Sequence, residues 1–178
     1  MENKHISTKP KLTAEQRAEH KAQITQLLES TGRAGIDRLL QCMEDEGFYA
    51  IHPHSHHRYE GGLAAHALGV CKRALKHCGD LPRDSVILCA LLHDICDIRG
   101  REQLAKGHGG FSAQILSELG LPLTDGERCA IRNHMRRADH HNAHKRISST
   151  WASVMADPAN RHLQQLIYRC DKDDARHR

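Results

Sequence analysis

Residues 86–98, VILCALLHDICDI, decide how this chain folds. The unbroken apolar run from Val86 to Leu92 is too continuous for one face of an amphipathic helix, and far shorter than the roughly 20 apolar residues of a membrane span. A helix that is apolar all round belongs at the centre of a bundle. Pro82 with Asp84 or Ser85 supplies its start, and His93 and Asp94 stand at its end. Two polar, metal-competent side chains therefore close the most apolar helix of the chain.

Working outward, the flanking segments also carry helical periodicity. On the N-terminal side, Thr13 and Gln16 form a T-x-x-Q capping box, and Ala14, Ala18, Ile24, Leu27 and Leu28 give an amphipathic helix to about Ser30. Ile36, Leu39, Leu40 and Met43 define a second helix after Gly35, stopped by Gly47. The stretch FYAIHPHSHHRYEGG reads as a histidine-rich loop leading into a helix from about Leu63 to Cys78, in which His66 faces inward.

On the C-terminal side, Gly107, Gly109 and Gly110 bracket His108 before a helix through Leu119. Thr124 and Glu127 make a T-x-x-E box for a helix carrying Ile131 and, a turn on, His134. Residues 137–160 are polar and interrupted by Pro158, and are expected to form a long loop or lid. Leu163, Leu166, Ile167 and Cys170 then mark a last helix, with Asp171 four residues after Ile167. The expected class is all-α: a loose, basic segment over residues 1–12 and one helical domain over 13–178.

A chain of 178 residues accommodates one domain with a continuous core. Mean hydropathy is −0.63, and MENKHISTKP lacks an apolar signal core, so a cytoplasmic protein with no membrane association is expected. The seven cysteines (Cys42, Cys71, Cys78, Cys89, Cys96, Cys129 and Cys170) include no CxxC pair and read as reduced core thiols. Formal charge is +4, and sixteen histidines can add to it as pH falls. That balance favours a small anionic partner, while an aromatic content of 3% argues against a base-stacking nucleic-acid platform. The oligomeric state is open, and a homodimer is compatible with it.

His66, His93, Asp94, His108, His134 and Asp171 fall on or beside helical segments, in the order H…HD…H…H…D. Burying such groups is costly unless they are paired or hold a metal. Imidazole and carboxylate suit one or two divalent Fe, Mn, Co, Ni or Zn ions better than the all-oxygen shells of Mg and Ca.

These residues carry a resemblance to the HD-domain superfamily of metal-dependent phosphohydrolases, running from roughly Thr31 to Asp174. HHRYEGGLAAH (56–66) is similar to the family's H-x-x-x-GGL-x-x-H, ALLHDICDI (90–98) to its ALLHD-x-x-K, and YRCDKDDA (168–175) to its closing AD-x-x-D. GHGGFSAQIL (107–116) and AIRNHMR (130–136) occur in the family's order. The resemblance implies an all-helical bundle in which His66, His93, Asp94 and Asp171 hold one ion, and His108 and His134 hold a second bridged by Asp94. It further implies hydrolysis of a phosphomonoester or phosphodiester of a nucleotide or other small phosphorylated metabolite by metal-activated hydroxide. Some members of the fold are instead di-iron oxygenases, and a non-enzymatic metal or nucleotide sensor is the third reading.

One position departs from the family. Asp97 stands where a lysine commonly contacts substrate phosphate. On a continuing helix Asp97 would share the side of His93, four residues back, and could orient a ligand or act as a catalytic base beside Asp94. The missing positive charge would then come from Arg99, Arg101 or Lys106. Further candidates for substrate contact are His57 and Arg58 before the GG turn, and Arg136 and Arg137, which open a basic run through His140, His141, His144, Lys145 and Arg146.

Overall fold

In the computed structural model, which describes residues 12–53, 56–99, 107–135 and 149–176, α4 (Arg83–Leu92) is buried from Ser85 to Leu92. Around it lie α1 (Ala14–Ser30), α2 (Ile36–Asp45), α3 (Gly62–His77), α5 (His108–Glu118), α6 (Asp125–Arg132), α7 (Ser149–Val154) and α8 (Pro158–Arg176). Helices α1, α3, α6 and α8 pack directly on α4, and α5 packs on α6. No strand occurs among the described residues, so the protein is an all-α, single-domain bundle. None of these helices is long and apolar enough to cross a membrane.

The core follows the periodicity of each helix. Ile24 and Leu28 of α1, Leu39 and Met43 of α2, Leu63 and Val70 of α3, and Ile167 of α8 are fully buried around α4. Each such side chain contributes about 1.5–3 kcal/mol by leaving water. Both expected capping boxes form, Thr13 with Gln16 and Thr124 with Glu127. All seven cysteines are free thiols.

Glu127 does more than cap. Its buried carboxylate accepts from Arg33 at 2.7 and 3.0 Å and from Ser85 at 2.8 Å, and Arg33 also reaches Asp84 at 3.0 Å. The turn between α1 and α2 is thereby pinned to α4 and α6.

Three expectations need correction. The segment 137–160 is not loop throughout, because Ser149–Val154 is helical; its apolar members, Trp151 and Val154, pack with Cys129 and Met155 in a small satellite cluster. Pro158 does not break the chain but begins α8, where the N–H it lacks would have had no helical partner. The α-helix does not continue past His93 either; a tighter 3-10 helix, Ile95–Arg99, follows. The loose N-terminal segment, Leu12 excepted, and the basic run 136–146 lie outside the described residues.

Candidate metal centre

Six side chains from five helices meet beside the end of α4. His66 projects from the middle of α3, His93 caps α4, Asp94 lies in the following turn and His108 begins α5; His134 lies two residues beyond α6, and Asp171 sits on α8. All but His108 are buried.

The two oxygens of Asp94 face different partners. Oδ2 lies 3.8 Å from His66 Nε2 and 3.5 Å from His93 Nε2. Oδ1 lies 2.8 Å from His108 Nε2 and 3.2 Å from His134 Nε2. Asp171 Oδ1 joins the first group, 3.3 Å from His66 Nε2 and 3.9 Å from His93 Nε2. Two metal-competent groups, His66–His93–Asp94 and Asp94–His108–His134, share this carboxylate, and His93, His134 and Asp171 form a further group between them.

Each imidazole is fixed from behind, leaving Nε2 turned inward. His93 Nδ1 donates to Ala90 O at 2.9 Å and His134 Nδ1 to Ile131 O at 2.7 Å, both carbonyls three residues back. His66 Nδ1 meets Asp174 Oδ2 at 2.9 Å, and His108 Nδ1 meets Cys96 Sγ at 3.4 Å. With those nitrogens carrying hydrogen, the inward nitrogens present lone pairs. His66 Nε2 and His93 Nε2 nevertheless approach to 3.3 Å, and the buried His134 Nε2, 3.2 Å from Asp94 Oδ1, makes no well-aligned hydrogen bond among the described residues. Inward nitrogens this close to one another and to the Asp94 carboxylate need a proton or a cation between them. The donor set fits a divalent cation.

The electrostatics agree in sign. Burial alone would raise the Asp94 carboxyl, but His93, His108 and His134 outweigh it and hold the group well below the usual carboxylate range. Burial likewise opposes charge on His66 and His108, yet the adjoining carboxylates, with Cys96 at His108, lift them to about 9 and about 11. His93 moves the other way, burial pushing it down.

Of the remaining candidates, Asp97 is buried, 3.7 Å from His108 Nε2 and 3.9 Å from Cys96 Sγ, rather than beside His93. Burial and the neighbouring Asp94 push its carboxyl up to about 6. His57 does not stand free at a pocket mouth; its Nε2 lies 3.4 Å from Asp174 Oδ2 and its ring centroid 5.3 Å from that of His66. It is the one non-glycine residue with positive φ (47°) among the described residues, and the side chain that Gly62 lacks would overlap its carbonyl. Arg58 is exposed. Arg99 pairs with Glu46 at 3.0 Å, so it does not supply the charge of the missing lysine. Arg101, Lys106, Arg136 and Arg137 lie outside the described residues.

Sequence reasoning missed three neighbours. Asp174 gathers His66, His57 and Arg73 around one carboxylate; its spacing three residues after Asp171 puts both on one helix face, which was a usable signal. Cys96 backs His108. His56 sets its ring, tilted by 52°, 4.3 Å from that of His66 and is pushed down to about 4 by burial and by His66. Neither of these two had a sequence signal beyond proximity to the motif.

A cleft of about 280 Å³ opens on the His108 side, lined by Gly107, His108, Gly109, Gly110, Arg132, Asn133 and Met135. Arg132 is exposed, and Met135 is 65% exposed. Of the six donor residues, His108 lines this cleft.

The family model described as HD domain matches residues 63–176, from the first turn of α3 to the end of α8 and well over half of the chain. None of the curated proteins and none of the solved structures matches it.

Proposed function

We propose, from the premise that the chain belongs to the HD-domain family, that it is a metal-dependent hydrolase of small phosphomonoesters or phosphodiesters. The observation that carries the reading is the placement of the two Asp94 oxygens beside different imidazole pairs, so that this carboxylate would help to hold two cations. His66, His93 and Asp171 would complete the first position, and His108 and His134 the second. Ions so held lower the pKa of water and offset charge on phosphoryl oxygens.

The chain's own residues do the rest. The carbonyls of Ala90 and Ile131, the carboxylate of Asp174 and the thiol of Cys96 hold the four rings in register, so that no reorganisation is needed when substrate arrives. The cleft beside His108 supports entry of a small substrate, and Arg132 at its wall supplies a cation for an anionic group. With Asp97 in place of the family lysine, a mono- or diester suits the site better than a polyphosphate.

The test is phosphate release from a panel of phosphorylated metabolites with added Mn or Fe. The reading predicts turnover in the wild-type chain and its loss in His93→Ala and Asp94→Ala. A metal-replete protein that releases no phosphate from any of them would contradict it.

A further inference from the structure

The change from α to 3-10 geometry after His93 carries a consequence for Asp97. In an α-helix, Asp97 would stack over His93; at three residues per turn it stacks over Asp94 instead. The Asp97 N–H donates to Asp94 O at 3.0 Å, the closing bond of that tighter turn. The carboxylate is thereby delivered to the face where α5 presents His108. Its side chain is 3% exposed, with Oδ1 3.7 Å from His108 Nε2.

Among the described residues, the ion-pair contact of this acid is with His108, itself a proposed ligand of the second ion. No described arginine or lysine lies within ion-pair distance, and its one hydrogen-bond contact among the described residues is the Cys96 thiol at 3.9 Å, a weak donor. Burying a carboxylate with so little compensation is costly, and a cation removes the cost. The spacing fits as well. Donor atoms about 2.0–2.2 Å from a common ion stand roughly 3–3.5 Å apart when they are neighbours and farther when they are not. Around His108 Nε2 and Asp94 Oδ1 the separations are 2.8, 3.2 and 3.7 Å for Asp94–His108, Asp94–His134 and His108–Asp97.

We infer that Asp97 is a ligand of the second ion, giving that position two imidazoles (His108 and His134) and two carboxylates (Asp94 and Asp97). The inference rests on the two-ion reading above and extends it to a residue type the family pattern does not provide. Asp97 is then neither a proton-transferring base nor an orienter of His93. The added carboxylate offsets positive charge at the second position and shifts its preference toward Mn, which takes oxygen ligands readily.

The experiment is metal-binding titration of the purified full chain with Mn and with Co, read by chelator competition and by the visible spectrum of bound Co, in wild type, Asp97→Asn, Asp97→Lys and Asp97→Glu. Wild type is expected to take up two ions per chain. In Asp97→Asn and Asp97→Lys the tighter ion is retained unchanged, the weaker one loses about 10–100-fold in affinity, and the Co spectrum of that position changes. Asp97→Glu, which keeps a carboxylate, retains the second ion. Unchanged affinities for both ions in Asp97→Asn overturn the inference even where activity is lost, since that is the behaviour of a base. Equal loss of both ions overturns it in favour of a structural role. A wild-type chain that takes up no second ion overturns it together with the two-ion reading.

Discussion

His66 and Asp174 are joined at 2.9 Å through Nδ1 and Oδ2, on the side of the ring away from Asp94 and Asp171. The bond spans α3 and α8, fixes which nitrogen of His66 is free to bind, and gives a carboxylate with no direct place at the centre a hold on its geometry.

Asp174→Asn is therefore expected to weaken ion binding about 10–100-fold while the helical content is preserved. Gly69→Ala should reproduce the effect from the opposite side, because a side chain there would collide with the Asp174 carboxylate. Calorimetric titration with Mn and circular dichroism check both variants; unchanged affinity in the two would remove Asp174 from the account.

The Arg33–Glu127 pair makes a separate prediction about acid stability. Burial would raise the Glu127 carboxyl, but hydrogen bonds from Arg33, Thr124 and Ser85 outweigh it and leave it lowered from its ordinary 4.5. A group whose folded value is depressed stabilises the fold above its unfolded value, and that contribution is lost as pH falls through the folded one. Glu127→Gln should cost about 3–5 kcal/mol near neutral pH by leaving Arg33 with Asp84 as its remaining carboxylate beside the Pro122 carbonyl. Its melting temperature should also fall less steeply than that of wild type below about pH 4.5. Thermal melts between pH 3 and 7 measure both slopes, and parallel curves would refute the assignment.

The cleft yields a third expectation. A Cβ added at Gly110, in the cleft wall, meets nothing within 4 Å, so Gly110→Leu is expected to be tolerated while narrowing the cleft. It should leave melting temperature and bound metal unchanged and raise KM for bulky phosphoesters more than for methyl phosphate. An equal effect on both would mean that substrate enters elsewhere.

The capping boxes offer a control remote from the centre. Thr13→Ala removes the side chain that accepts from Gln16 N at 3.2 Å and should cost about 1 kcal/mol. That corresponds to roughly 2–4 °C in Tm for a chain of this size. Ion binding should not change. Calorimetric melts with a parallel metal titration test both halves of the statement.

Much of the architecture was legible because it rests on local signals. T-x-x-Q and T-x-x-E mark helix starts by satisfying orphan N–H groups, and the apolar run from Val86 to Leu92 has no soluble home except the middle of a bundle. What stayed hidden depended on tertiary packing. Ser149–Val154 has little apolar periodicity of its own and rests on Cys129 and Met155. Pro158 reads equally well as a break or as a helix start. The six convergent residues were legible as a series, because imidazoles and acids beside apolar stripes need a shared explanation. Their pairing through the two oxygens of Asp94, and the turn of Asp97 toward His108 instead of His93, depend on where α4 changes its winding, and hydrophobic pattern is silent on that.

The most direct test of the whole account is the number of ions carried per chain after metal-replete purification, measured by elemental analysis in wild type and in Asp94→Ala. Two ions in wild type, both lost or greatly weakened in the variant, is the result expected of a carboxylate shared between two positions. Fewer than one ion in wild type, or a variant that keeps its full complement, would contradict it.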